Sequence, residues 1–425
     1  MEKMSLNLEI IVIKDACFGN KTYIENGVLS INKEELIEEV KDLRFASIDF
    51  DIAKPGESTR IIPVKDVIEP RIKVETKGMF PGIFDNFSYC GIGTNKVLRG
   101  CCVTTAGKIM GFQEGIIDMS GPGAKYCHYS KLLNIVMIAD PIEGLEPKEH
   151  EMAIRHMGLK ASLYLAKAGL NVKPDYVETY CKEYVSPERK LPKIALAYLV
   201  MAQGLLHDNE VYGFCSRDIP PLLMHPNELW DGAIVSGNCV TASDKNTTYD
   251  IQNNAIAKEL YERHNKDLEF CGMIVSPIST ILEEKERNAM ITVNLASQCE
   301  AEALIIPQEG GGNPEADLML ICECAEKRGI KTVLMLHDHP GVDGTAEPMI
   351  NTSPLANAIV TVGNDSAQIL LPEMEKNIGH REQLNLLSGS PSDCEQKKGS
   401  IKVGVSVIMG STNNLGINCN STEEI

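Results

Sequence analysis

An α/β protein is predicted, with a mostly β N-terminal region followed by a doubly wound, largely parallel sheet. Three observations predict it. Up to about residue 110, short runs rich in Ile and Val are bounded by Gly, Pro, Asn or Asp, the signature of strands. Beyond Leu191, apolar runs alternate with long amphipathic stretches, the pattern of strands joined by crossover helices. The chain of 425 residues is also longer than one hydrophobic core sustains, so two domains are expected.

In chain order, the first strands are read in LEIIVIKD, NGVLSI, SIDFDIA, RIIPV and RIKVE, with a charged helix from Lys33 to Lys41 among them. TAGKIMGF and LLNIVMIA are read as two more. From His150 to Ala168 apolar residues recur at helical spacing and stop at Gly169. The Pro-bounded stretch SPERKLP then divides domain 1–190 from domain 191–425. In the second, strands are read at KIALAYLV (193–200), GAIVSG (232–237), EFCGMIVS (269–276), ALIIPQE (303–309), TVLMLH (332–337) and NAIVTVG (357–363). Helices are expected near 251–266, 282–299 and 315–328.

Charge and composition exclude some functions. A net charge of −18 argues against nucleic acid and anionic membranes, which need a basic face. No apolar run approaches the roughly 18 residues of a membrane span. The N-terminus, MEKMSLNLEIIVIKD, lacks the layout of a signal peptide, so a cytoplasmic location is expected. The 14 cysteines are scattered, and neither Cys101-Cys102 nor Cys322-x-Cys324 matches a zinc knuckle or a redox C-x-x-C. They are read as reduced, buried thiols, with no metal site.

Ligands of open α/β sheets bind beyond the carboxyl ends of the strands. Polar and Gly-rich residues follow five of the strands here. They are His207 and Asp208; Asn238 and Cys239; Gly310, Gly311, Gly312 and Asn313; His337, Asp338 and His339; and Asn364 and Asp365. Neighbouring parallel strands would set them on one rim. The GGGN stretch before a helix offers backbone amides to an anion, and His207 or His337 offers a hydrogen bond to a substrate carboxylate. Glu114 and Asp118 flank a Gly-Pro-Gly turn, and Glu69 with Arg71 is read as a structural ion pair.

Asn238-Cys239 is the most reactive pair on this rim. The Asn side chain can cyclise onto its own carbonyl, although the His that precedes such an Asn in inteins is Gly237 here. Alternatively, the Cys239 sulfur attacks the Asn238 carbonyl in an N-to-S acyl shift. β-Elimination of the thioester then leaves a dehydroalanine, which tautomerises and hydrolyses to a pyruvoyl group. That route needs a polarised peptide and a proton shuttle. Gly237 supplies backbone freedom, and Ser236, Thr241, Ser243, Asp244 and Lys245 are candidate shuttles. An inert thiol capping a strand, or an uncut thiol nucleophile, are the other readings of Cys239.

Five stretches carry a family resemblance: AKPGESTRIIPVKDVIEPRIKVE (53–75), TTAGKIMGFQEGIIDMSGPGA (104–124), QGLLHDNEVYG (203–213), DGAIVSGNCVTASDKNTTY (231–249) and EGGGNPEADL (309–318). With GSTNNLGIN (410–418), they extend over almost the whole chain. The chain resembles the processed proprotein subunit of component B of glycine, sarcosine and betaine reductases. The resemblance implies cleavage at Asn238-Cys239 into fragments 1–238 and 239–425, with Cys239 becoming a pyruvoyl group. It implies a cytoplasmic subunit that works beside a selenocysteine-containing component B subunit in anaerobic amino-acid fermentation. The complex would cleave the C–N bond of a small amino-acid substrate. It would pass the two-carbon unit as a selenoether to a small selenoprotein carrier and release it as acetyl phosphate from a further component, with electrons from thioredoxin. The family often carries a second Cys four residues after the first, where this chain has Ser243, so that position is not needed for the cut. Betaine, with its quaternary nitrogen, cannot form an imine with a pyruvoyl ketone. An uncleaved scaffold that docks the selenoprotein is the alternative role.

Overall fold

The structure is a computed structural model that describes residues 4–111, 114–203, 206, 208–237, 240–337, 349, 351–361, 365–390 and 399–415. It is a mixed α/β protein with parallel strands in its larger sheets. Among the described residues, no helix is long and apolar enough to cross a membrane.

Among the described residues, the N-terminal half holds a small three-stranded mixed sheet and two larger ones. In one, β1 (Ser5–Val12) runs parallel to β4 (Gly93–Arg99) and antiparallel to Tyr176–Cys181. In the other, the order is Gly115–Asp118, β3 (Thr59–Ile68), β5 (Cys101–Ala106), β6 (Leu133–Pro141) and β2 (Phe45–Ala53). Every residue of β3 is buried, as a strand covered on both faces requires. Helix α1 (Lys33–Val40) starts at Asn32, whose side chain caps the amides of Glu34 and Glu35. The long helix α2 (Pro147–Lys167) ends two residues before Gly169. The strand expected at TAGKIMGF stops at Ala106. The amides beyond it leave the ladder: Ile109 donates to Gln383 and Met110 to Glu114.

The C-terminal half is built on a parallel sheet in the order β8 (Glu269–Pro277), β7 (Lys193–Val200), β9 (Ala303–Pro307), β10 (Lys331–Leu336) and β11 (Ile359–Thr361). An antiparallel strand, Leu222–Met224, closes the β8 edge. Ala195, Ala197 and Leu199 of β7 face helices α5 (Leu282–Gln298) and α6 (Asn313–Glu326). The alternate residues Leu196, Tyr198 and Val200 face the other layer, with Ile251 of α3 (Thr248–Gln252) and Leu260 of α4 (Ala255–Arg263). The single helix expected at 251–266 is thus two, broken where Asn254 turns to cap Ala257.

GAIVSG departs most from expectation. Only Ile234–Val235 is a strand, and it pairs antiparallel with Glu210–Val211 in a small separate sheet. The flanking amides are taken by side chains: Ser236 N–H by Thr248, and Gly237 N–H by Asn209. The chain also returns to its beginning. Lys376–Gly379 pairs parallel with β3, and one hydrophobic core joins residues such as Ile61, Val64 and Val136 to Leu371, Val403 and Ile408.

Gly379 sits at that return with φ +97, and a Cβ there would lie 2.1 Å from the Ile62 carbonyl oxygen. Gly379→Ala is expected to lower unfolding free energy by about 2 kcal/mol or more through strain and clash. Urea denaturation followed by circular dichroism measures it, and an unchanged midpoint contradicts the packing described.

Candidate functional site

Three neighbouring strands of the parallel sheet end on chemically active residues. β9 runs into Gln308, Glu309 and Gly310, β10 into His337, and β11 toward Asp365. The segment after Ile234–Val235 arrives from the other sheet and lies against them: a Cβ on Gly310 would meet Val240 Cγ1 at 2.8 Å. The GGGN turn and the residue after Cys239 are therefore in contact.

Gly237 is held at both of its backbone groups. Gly237 N–H donates to Asn209 Oδ1 at 2.8 Å, and Gly237 C=O accepts from Lys245 Nζ at 2.6 Å. Lys245 is buried. One residue earlier, Ser236 N–H donates to Thr248 Oγ1, which in turn donates to the buried carboxylate of Asp66 at 2.7 Å. Downstream, Gly410 N–H and Thr412 N–H donate to the carbonyls of Ala242 and Ser243. Asn413 reaches Asp250, and Asn414 accepts from Asn246. Residues 236–237 and 242–248 are thus held by β3 and the chain's C-terminal strap.

His337 is 2% exposed and stands between two carboxylates. Its Nε2 lies 2.9 Å from Asp244 Oδ1 and 3.4 Å from Asp365 Oδ2, and its Nδ1 lies 3.1 Å from Thr412 Oγ1. Burial alone would lower the imidazole pKa. The charge and hydrogen bond of Asp244, with those of Asp365, outweigh it and raise the value to about 10. One imidazole nitrogen and two carboxylate oxygens within 4.8 Å of one another also have the composition of a divalent-metal site. Sequence spacing had indicated no metal, because these three ligands come from three separate segments.

Glu309 is the second perturbed group. Burial raises its pKa to about 8, against the Asn246 amide bonded to Oε1 at 2.8 Å and the charge of Lys245. Its Oε2 has no hydrogen-bond partner among the described residues. At neutral pH, Glu309 is thus a carboxylic acid with a proton to give, beside the lysine that holds Gly237.

Asn238, Cys239 and His207 lie outside the described residues. Of the GGGN stretch, Gly310 packs on Val240, and Gly311 is half-buried. Gly312 N–H donates to Glu315 of its own helix. Asn313 donates to Ser279 and Gln203, which ties the helix start to the loops after β8 and β7. Glu114 and Asp118 are buried in ion pairs with Lys65 and Arg60, and Glu69 with Arg71.

A family model described as glycine/sarcosine/betaine reductase component B subunits matches residues 4–423. The chain is 45% identical over 423 residues to the glycine reductase complex component B subunits alpha and beta of Acetoanaerobium sticklandii, covering 98% of each chain. It is 42% identical to the sarcosine reductase complex component B subunit alpha of Peptoclostridium acidaminophilum, over 96% of this chain and 97% of that one. Identity to the betaine reductase complex component B subunit alpha of the same organism is 39%, over 96% and 95%.

The chain belongs to the component B family of glycine, sarcosine and betaine reductases. No solved structure matches it. Sequence reading of this component B chain singled out Lys245, Asp244 and His337 but passed over Glu309, read as the end of a strand, and Asn209, Asp66 and Thr412. The polar run STNN (411–414), buried throughout, was the signal for the last of these.

An acid raised from 4.5 to about 8 weakens the fold as it titrates, because the unfolded chain releases that proton first. Relative to Glu309→Gln, the wild type should lose stability as pH rises from 4.5 toward about 8 and then stay level. Paired urea melts across this range measure the difference. A difference that grows in favour of the wild type contradicts the assignment.

Proposed function

We propose that this chain is a self-processing component B subunit, cut at Asn238-Cys239, that takes part in reductive cleavage of the C–N bond of glycine, sarcosine or betaine. The observation that carries this reading is the double tether of Gly237 by Lys245 and Asn209, one peptide before the pair. Two relatives of the same length bear names that denote two subunits, alpha and beta, in one chain, as cleavage would produce.

In the processing step, the Cys239 sulfur bonds to the Asn238 carbonyl carbon as the C–N bond breaks, and the thiol proton passes to the freed nitrogen. β-Elimination then releases the thiocarboxylate of fragment 1–238. The enamine left on residue 239 tautomerises to an imine, and water replaces its nitrogen, which leaves as ammonia. Lys245 restrains and polarises the carbonyl of Gly237, fixing the plane from which residue 238 continues. In this reading Glu309, protonated at neutral pH, supplies a proton.

The residues around this point fit a pyruvoyl group: small and polar side chains, one ammonium and one neutral acid. Such a group supplies an electrophilic ketone that condenses with a primary or secondary amine and weakens its C–N bond. The partners in this reading are a selenocysteine-containing component B subunit, a selenoprotein carrier and an acetyl-phosphate-forming component, with thioredoxin as the electron source.

Intact mass and a denaturing gel of the purified protein test the cut. Fragments 1–238 and 239–425 are expected, the second with a blocked, carbonyl-reactive N-terminus, and Cys239→Ala should remain one chain. A single full-length wild-type chain with an alkylatable Cys239 overturns the proposal and favours a thiol enzyme or scaffold.

Because Lys376–Gly379 pairs with β3 and one core spans both fragments, cleavage should not separate them. Native size-exclusion chromatography should give one peak holding both, resolved only in denaturant. Independent elution of the two in native buffer contradicts it.

A further inference from the structure

A second cleft lies away from this rim. It has a volume of about 460 Å³ and is bounded by the end of β4, the strand Tyr176–Cys181, the 128–132 turn and helices α3 and α4. None of its lining residues is among those gathered around Lys245 and Glu309. The volume falls in the range of roughly 300–1,000 Å³ typical of small-molecule sites and is generous for a substrate the size of glycine.

Its walls divide into a cationic and an aromatic side. Arg99 is fixed from below by Glu69 at 2.8 Å, and that buried carboxylate also carries Arg71. Glu69 and Glu178 together balance Arg71 and Arg99, so the uncompensated positive charge of the cleft is that of its two lysines. Glu69 is also the main cause that holds the Arg99 guanidinium above its ordinary pKa, so it stays charged. Lys131 and Lys258 line the same cleft, and neither pairs with a carboxylate among the described residues. Glu178 is the one acidic lining residue, and it already faces Arg99 at 3.7 Å. His128 bonds Asp250, whose carboxylate is also engaged by Tyr129, Thr247 and Asn413, so that charge is absorbed inward.

The opposite wall is Tyr180 stacked on Trp230 with ring centroids 4.3 Å apart, and Tyr249 beside them. Such a rigid apolar surface accepts a carbon skeleton. The chain as a whole carries −18, so its overall field does not draw anions in. The attraction is local to this cleft.

We propose that this cleft binds a small organic oxyanion with two or more negative charges, held by Arg99, Lys131 and Lys258 with its skeleton against Tyr180 and Trp230. A phosphate ester and a polycarboxylate share that chemistry, and the test separates them.

Trp230 is the only tryptophan of the chain, so its fluorescence reports on the cleft directly. The purified full chain is titrated with ribose 5-phosphate and with citrate at constant ionic strength, by fluorescence and by calorimetry. Saturable binding of at least one is expected, and which one binds assigns the class. Lys131→Ala/Lys258→Ala should weaken it by about tenfold or more, as loss of charge-assisted contacts implies, while far-ultraviolet circular dichroism and chain processing stay unchanged. No saturation by either ligand in either measurement overturns the proposal, as does equal binding by the double variant.

Discussion

The contact on which the site depends is a single buried hydrogen bond from Lys245 Nζ to the Gly237 carbonyl. A lysine out of water is costly unless its charge is met. Here, Asp66, Glu309 and Glu151 all feel its field, and each has its carboxyl pKa drawn down by it against the effect of burial. The ammonium is thus both a tether and a charge that the buried acids around it feel. Removing it would leave the Gly237 carbonyl without its donor.

Around that centre, the fold separates protonation states. Glu309 is kept neutral by burial, whereas His337, between Asp244 and Asp365, is kept charged. Glu309 is thereby left with a proton to donate, while the charge of His337 is met by the two carboxylates beside it. The arrangement needs six stretches of chain. The sheet ends supply Glu309, His337 and Asp365, the 236–248 segment supplies Asp244 and Lys245, β3 supplies Asp66, and the C-terminal strap supplies Thr412 and Asn413.

Much of the sheet was legible in the sequence because β7 and β8 are buried on both faces and read as near-continuous apolar runs. Strand order also suggested a shared rim, and two of the residues read there, His337 and Asp365, lie 3.4 Å apart. GAIVSG was misplaced because its composition fits a buried strand, whereas its amides are claimed by Thr248 and Asn209. Local pattern cannot reveal such side-chain competition. Nor could it reveal that Asn414 meets Asn246 across 168 positions, or that Lys376–Gly379 returns to β3. The pKa of Glu309 was equally hidden, since it arises mainly from burial.

The central claim is that the Lys245 clamp on Gly237 prepares Asn238-Cys239 for cleavage. Its most direct test is the rate of chain cleavage in Lys245→Met, which keeps the apolar stem and removes the donor. Freshly synthesised protein is followed by intact mass, with circular dichroism to establish that the variant is folded. The account predicts that folded Lys245→Met is cut at least about tenfold more slowly than wild type, the scale expected for losing one preorganised donor. Cleavage of the folded variant at the wild-type rate would contradict it.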